Sequence, residues 1–446
     1  MCYIISVSVY TDVLSVVSQM NFWKKTKRRI KKIRTFKRNG ILFQQMLRYF
    51  WGMPPVNKCI CHWAKLFWRI DETKIVFATF SHTFNCNPGS IAAELAKRDY
   101  PGKLVFLVEK QHLAELQKSD LAEKIDFVDV WSWRALKEAA TAKIRLENAQ
   151  TFLWQSFTPK RPEQIYINTW HGSLGIKRLD TALAVDAKLR KRMPLSKKYT
   201  DYCISNSEFE DMVMETSFFG GVTKVRLGHA RNDIFFQPPG IINEVKKKYR
   251  RLLELPDDCR IALYAPTFRE NGFFKGFLDI DYQALADALQ RKFGGMWKIL
   301  VKFHPHDVKR MHNDGLQLPL AVVDAAKCNN INELLLATDV GITDYSSWIF
   351  DYIHLRRPGF IYAPDLDEYK RGFYYPLTDT PFPVTIDAEQ FREAVLNFDE
   401  KKYAAGVEAF LEKMGCTDDG KSGGRIADFL ETLISGKQTT NFEGTI

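Results

Sequence analysis

The sequence predicts an α/β protein of two parallel-sheet domains facing a cleft, preceded by a basic, amphipathic helical extension over 1–72. Three observations carry that expectation. Strand-like apolar runs alternate with helical segments from Lys74 onward. The alternation occurs twice, with Gln237-Pro-Pro-Gly240 between the two sets. The 446 residues exceed what one ordinary core holds, and 46% hydrophobic with 26% charged residues describes a globular chain.

In the first domain, 73–237, residues 75–80 read as a strand and Asn87-Pro88-Gly89 leads into a helix over 91–96. A strand follows at 103–108, then helices around 112–121 and 133–142, then a strand at 164–170. The second domain, 238–435, opens with a helix over 245–253 and a strand at 260–265. A helix at 282–292, a strand at 297–303 and a helix near 332–337 come next. Residues 340–342 are a buried strand end, and 348–355 form an amphipathic helix that stops before Pro358. Each half is thus Rossmann-like, and two such halves across a cleft match the glycosyltransferase-B architecture by analogy of fold. The polar tail 436–446 is expected to fray.

The formal net charge of +11 is local. Ten basic residues lie between Lys24 and Arg38 with no acid among them, which leaves +1 for the rest of the chain. Aromatic residues follow this run at Phe43, Tyr49-Phe50-Trp51, Trp63 and Phe67-Trp68. That interleaving suits an anionic membrane surface met by residues 20–70 at the cytoplasmic face, each basic residue adding roughly 1 kcal/mol. A solvated helix or an RNA-binding arm is the competing reading, and no nucleic-acid partner is expected for the catalytic body. Met1 to Val17 is apolar but interrupted, and too short to span a bilayer. Eight scattered cysteines include a single C-x-C at Cys59 and Cys61, which reads as reduced cytoplasmic thiols without a zinc site.

Four polar clusters fall where strands end, the edge of an α/β sheet at which ligands sit. They are Thr169-Trp170-His171-Gly172-Ser173 with Lys177, and Gly228-His-Ala-Arg231-Asn232-Asp233. A third joins Thr267 and Arg269 to Lys302, His304 and Pro305, and the fourth runs from Thr343 through Asp344, Ser346 and Ser347 to Asp351. Each has a plain alternative: a turn histidine, an Arg231–Asp233 salt bridge, a loop kink at His304-Pro305, a serine that only caps a helix. In the last cluster a strand hands over to a helix whose N-terminus, flanked by two hydroxyls, makes a seat for an anion such as phosphate.

Thr-Trp-His171-Gly, Gly228-x-x-Arg231-Asn-Asp233, Tyr264-Ala-Pro-Thr267-Phe-Arg269, Lys302-x-His304-Pro305 and Thr343-Asp344-Tyr-Ser346-Ser347-x-x-x-Asp351 occur in this order. Together they resemble the CDP-glycerol glycerophosphotransferase family, which includes primases and polymerases of wall teichoic acid and related capsule enzymes. The likeness runs from about 74 to about 380. It implies a membrane-associated transferase that moves a polyol phosphate from CDP-glycerol or CDP-ribitol to a hydroxyl of a lipid-linked acceptor and releases CMP. His171 is the expected base, and His304 a second catalytic histidine. Arg231, Asp233, Thr267, Arg269, Lys302, Thr343, Asp344, Ser346, Ser347 and Asp351 are the expected substrate contacts, with Asn87, Ser173 and Lys177 on the acceptor side. Where the family pattern after His-Gly is Thr-Pro-Leu-Lys, this chain has Ser173-Leu174-Gly175-Ile176, and its first lysine comes one place later. Asp339, Asp344 and Asp351 are spaced across a strand-to-helix break and do not form a concentrated acidic set, so a metal-independent mechanism with no cofactor is expected. Competing readings are a nucleotide-sugar glycosyltransferase on the same fold and a nucleic-acid-binding protein carried by the basic arm.

Overall fold

The computed structural model describes residues 66–149, 160–175, 177–179, 194, 196–267, 269, 275–303, 307–308, 311, 313, 317–369 and 371–436. The basic run, the tail beyond 436 and His304 lie outside the described residues.

Seven strands build the first sheet: β1 (Asp71–Ala78), β2 (Leu104–Val108), β3 (Ile125–Asp129), β4 (Ala142–Glu147), β5 (Ile165–Asn168), β6 (Tyr202–Ser205) and β7 (Thr223–Arg226). Six build the second: β8 (Arg260–Tyr264), β9 (Trp297–Val301), β10 (Val322–Asp324), β11 (Val340–Thr343), β12 (Gly359–Tyr362) and β13 (Val384–Thr385). The spatial orders are β3-β2-β1-β4-β5-β6-β7 and β10-β9-β8-β11-β12-β13. All pairings are parallel, with Ile75 opposite both Leu104 and Ile144, and Ala262 opposite both Ile299 and Val340. Helices cover both faces of such sheets, which is why Ile75–Ala78 and Leu104–Val108 are apolar without alternation. Each sheet reverses its order once, between β1 and β4 and between β8 and β11. The crevices beyond those strand ends are the places where ligands bind in this architecture.

The chain leaves the first sheet through a 3-10 segment, Ala230–Phe236, and enters the second domain on the helix Pro239–Leu252. The Pro-Pro-Gly stretch therefore starts a helix: proline at its first position costs no hydrogen bond there. The expected boundary at 435 needs correction. The final helix, Ser422–Ser435, returns to the first domain, and its Ile426, Ala427, Phe429 and Leu430 are fully buried with Ile75, Phe77 and Leu95. Removing that helix would open the core of the domain that carries His171. Among the described residues, no helix is long and apolar enough to cross a membrane.

Candidate active site

On the first-domain side, the loop after β5 carries His171. Trp170 has a left-handed backbone (φ 54°), unusual for a bulky residue, and its amide donates to Asn168 Oδ1 at 2.8 Å. Its buried ring packs on Phe218 and Phe219. Asn87, the buried residue of Asn87-Pro88, donates to Thr169 O at 2.8 Å. These contacts turn the chain so that His171 Nδ1 donates to Asn148 O at 2.5 Å. A carbonyl can only accept, so Nδ1 holds the proton and Nε2 presents a lone pair, the arrangement a general base needs. Burial pulls the imidazole pKa down to about 4, and the charges of Arg231, His229 and Lys177 act in the same direction.

The neutral ring is thus the ground state at physiological pH, and the acid limb of kcat/KM should lie well below 6.5. A kcat/KM profile between pH 4 and 8 tests this; a limb centred near 6.5 would contradict it. The sign for stability agrees. The unfolded chain binds the extra proton between about 6.5 and about 4, so His171 contributes less stability as pH falls through that window.

On the opposite side, the ends of β8 and β11 are laced together. Thr343 Oγ1 donates to Ala265 O at 2.9 Å, and Asp344 Oδ1 accepts from the amides of Thr267 (2.8 Å) and Tyr345 (2.5 Å). Asp344 Oδ2 lies 2.7 Å from Arg269 Nη2. Arg269 also meets both oxygens of Asp365, at 2.8 and 3.0 Å, and its guanidinium sits 5.1 Å from the Tyr345 ring. Thr343 and Asp344 are fully buried. Both side chains hold the two strand ends together at the switch point. Among the described residues, this frame leaves available Ser346 and Ser347, half-buried and without side-chain hydrogen bonds, and Thr267 Oγ1, which has no partner. Ser347 stands at the helix N-cap position of Trp348–Tyr352 but makes no capping bond, so capping does not occupy its hydroxyl.

The two sides touch. A Cβ built on Gly175 would come within 2.9 Å of Ser347 Cβ, so the loop that follows His171 lies directly against the serine pair. Farther along that loop, Lys177 bridges to Phe373, Arg178 N donates to Gly372 O at 3.1 Å, and Arg371 Nε donates to Arg178 O at 2.9 Å. Burial, joined by the charges of Arg371 and Arg269 and opposed by Asp344, lowers the Lys177 pKa to about 8. An anion placed between the domains would relieve that penalty. Ser173 Oγ, buried in the same loop, accepts from Asn206 Nδ2 at 3.1 Å.

Four further expected contact residues, Arg231, Asp351, Asp233 and Lys302, also have partners within the protein. Arg231 is buried and grips Asp351 with two nitrogens, Nε to Oδ2 at 2.9 Å and Nη2 to Oδ1 at 3.0 Å. Its Nη2 also donates to Gly172 O, and its amide donates to Asn87 Oδ1 at 3.1 Å. Burial works against its charge, but Asp351 more than compensates, so the guanidinium pKa is raised. This pair is a strut from the carbonyl beside His171 to the helix beside Ser347, and its charges are spent on each other. Asp233 receives the amides of Ser422 (3.0 Å) and Gly423 (2.6 Å), which caps the returning helix; burial raises its pKa to about 6. Lys302 donates to Cys328 O at 2.7 Å and to Ala325 O at 3.4 Å, so it secures the loop after β10.

Sequence reasoning missed Asp418. This buried carboxylate accepts from His229 N (2.7 Å), Asn206 Nδ2 (2.9 Å) and Asn232 Nδ2 (2.8 Å), and lies 3.2 Å from His354 Nε2. In Cys416-Thr-Asp-Asp-Gly420 it reads only as part of a turn. With His354 and Cys416 it forms a group of metal-type donors, but its oxygens are already engaged by these N–H groups.

A sequence model of the family described as CDP-Glycerol:Poly(glycerophosphate) glycerophosphotransferase matches residues 60–432. The chain belongs to this family. As a glycerophosphotransferase-family member it is 28% identical, over 81% of its length and 92% of the relative's, to the teichoic acid poly(glycerol phosphate) polymerase of Bacillus spizizenii. It is 29% identical to the polymerase of the same description from Staphylococcus epidermidis over 70% of the chain, which spans 44% of that longer protein. The solved structure of the wall teichoic acid polymerase TagF superposes with a TM-score of 0.69 at 24% identity, covering 94% of this chain and 98% of that one. That likeness bears out the two-domain α/β expectation.

Proposed function

We propose that this transferase moves glycerol phosphate from CDP-glycerol to a hydroxyl of a lipid-linked or glycan acceptor, in the assembly of a teichoic acid-like or capsular surface polymer. His171 Nε2 takes the acceptor proton. The acceptor oxygen then attacks the glycerol-bearing phosphorus, the bond from that phosphorus to the CMP oxygen breaks, and CMP leaves with the electron pair. Ser346, Ser347 and Thr267 donate to the diphosphate, and Lys177 neutralises charge as CMP departs. His304, on the grounds of its Lys302-Phe-His304-Pro305 motif, is a second candidate for stabilising the leaving group. The carrying observation is the neutral, Nδ1-anchored His171 on one domain, in a loop that packs against two unpaired hydroxyls on the other.

Ser346→Ala and Ser347→Ala should each weaken CDP-glycerol binding by about 1.5–3 kcal/mol, the worth of a hydrogen bond to a charged group. Unchanged donor KM in both variants would remove the serines from the phosphate site. Substituting CDP-ribitol in the same assay, with product mass as readout, decides the polyol. Activity retained after exhaustive chelation is expected, because Lys177 and the hydroxyls supply the neutralisation; loss restored by magnesium would overturn that part. The basic stretch 24–38 is proposed to hold the enzyme at the cytoplasmic membrane face. Flotation of the full chain with phosphatidylglycerol vesicles but not with phosphatidylcholine vesicles is the expected result; equal behaviour with both would contradict it.

A further inference from the structure

At the carboxyl end of β1, beside the reversal point of the first sheet, Phe80 is 53% exposed although it borders His171. Its ring centroid lies 4.8 Å from that of His171, with the planes inclined at 48°. The position is built with care. Phe80 N donates to Asn148 Oδ1 at 3.0 Å, and the carbonyl of the same asparagine takes the His171 Nδ1 proton. Thr79 Oγ1 donates to Thr83 O at 2.8 Å and accepts from Thr83 N at 3.0 Å, closing the loop around Phe80. His82 N returns to Thr79 O at 3.0 Å, and His82 O receives Glu109 N at 2.9 Å. A short, cross-braced loop thus holds an apolar ring out beside the base.

We propose that Phe80 is the platform on which the acceptor's terminal sugar ring rests, so that the hydroxyl deprotonated by His171 is a carbohydrate hydroxyl. The face of an aromatic ring carries partial negative charge. It attracts the C–H-rich face of a pyranose and disfavours a phosphate at the same distance. Lys177, Arg178 and Arg371 gather on the loop contact between the domains, where phosphates would collect, with Lys177 also acting on His171. An acceptor ending in a sugar therefore fits beside Phe80 and His171 better than one ending in glycerol phosphate. This deepens the transfer reading and rests on it.

The test uses the full chain, CDP-glycerol and two soluble acceptors: an N-acetylhexosamine glycoside, and the same glycoside already carrying one glycerol phosphate. Phe80→Ala should raise KM for the sugar-ended acceptor about tenfold, in line with an aromatic stacking contact. KM for CDP-glycerol and for the glycerol phosphate-ended acceptor should change less than about twofold, since neither is given a stacking contact here. Phe80→Tyr, which keeps the platform, should behave as wild type. Equal KM increases for both acceptors, a fall in kcat alone, or a raised KM for CDP-glycerol would each overturn the proposal. If the wild-type chain transfers nothing from CDP-glycerol, the transfer reading fails, and saturation-transfer NMR of the glycoside then decides the platform separately. Binding to wild type that is lost in Phe80→Ala supports it, and binding unchanged or absent in both refutes it.

Discussion

His171→Ala is expected to reduce turnover ~10²–10⁴-fold, the span associated with a positioned acid or base, while affinity for CDP-glycerol stays near that of wild type. The separation follows from where the groups sit. His171 is fixed by Asn148 on the first domain, and the unpaired hydroxyls of Ser346 and Ser347 belong to the second. Calorimetric binding of CDP-glycerol alongside single-turnover rates checks it. Lost donor binding with the chemistry intact would move His171 to the donor site, and near-normal turnover would remove it from the mechanism.

Arg231→Met is expected to cost about 3–5 kcal/mol of stability, because it leaves the Asp351 carboxylate buried without its counter-charge. It should also slow transfer, since the same guanidinium holds Gly172 O next to the base. Asp351→Leu alone should be about as harmful. The double variant should regain much of the lost stability, because two apolar side chains of similar volume leave no unpaired charge. Denaturant unfolding of the three variants gives the coupling energy. Additive losses would mean that the strut is not a unit.

The architecture was legible where the chain packs on both faces. β1, β2, β5, β8, β9 and β11 are runs that read directly as buried parallel strands. The others were not legible, for identifiable reasons. β4 contains Arg145, wholly buried, whose guanidinium donates to Ala139 O and Gln164 Oε1 and so breaks the apolar pattern. β3 carries Asp126 and Asp129 within its five residues, and β6, β7, β10, β12 and β13 have two to four residues each, too few to show a period. The returning helix was not read from the sequence at all, and nothing local records that Phe429 meets Tyr202.

The site shows the same division. That the polar clusters belong together could be read from their places at strand ends. Which carboxylate each cation takes could not. Arg231 pairs with Asp351, 120 positions away, and not with Asp233 two positions on, while Asp233 is turned to the amides of a helix at the far end of the chain. A motif names the residues a site needs and leaves open which of them meet ligand and which hold the others in place. Ser346 and Ser347 keep hydroxyls that no described residue engages; Thr343 and Asp344, adjacent in sequence, are engaged by the frame.

The most direct test of the central claim is a ³¹P NMR time course of the full chain with CDP-glycerol and a hydroxyl-bearing glycoside. CMP should appear one for one with a new phosphodiester on the acceptor, and His171→Ala should suppress both signals together. Transfer from UDP-sugars alone, with no phosphodiester formed from CDP-glycerol, would contradict it.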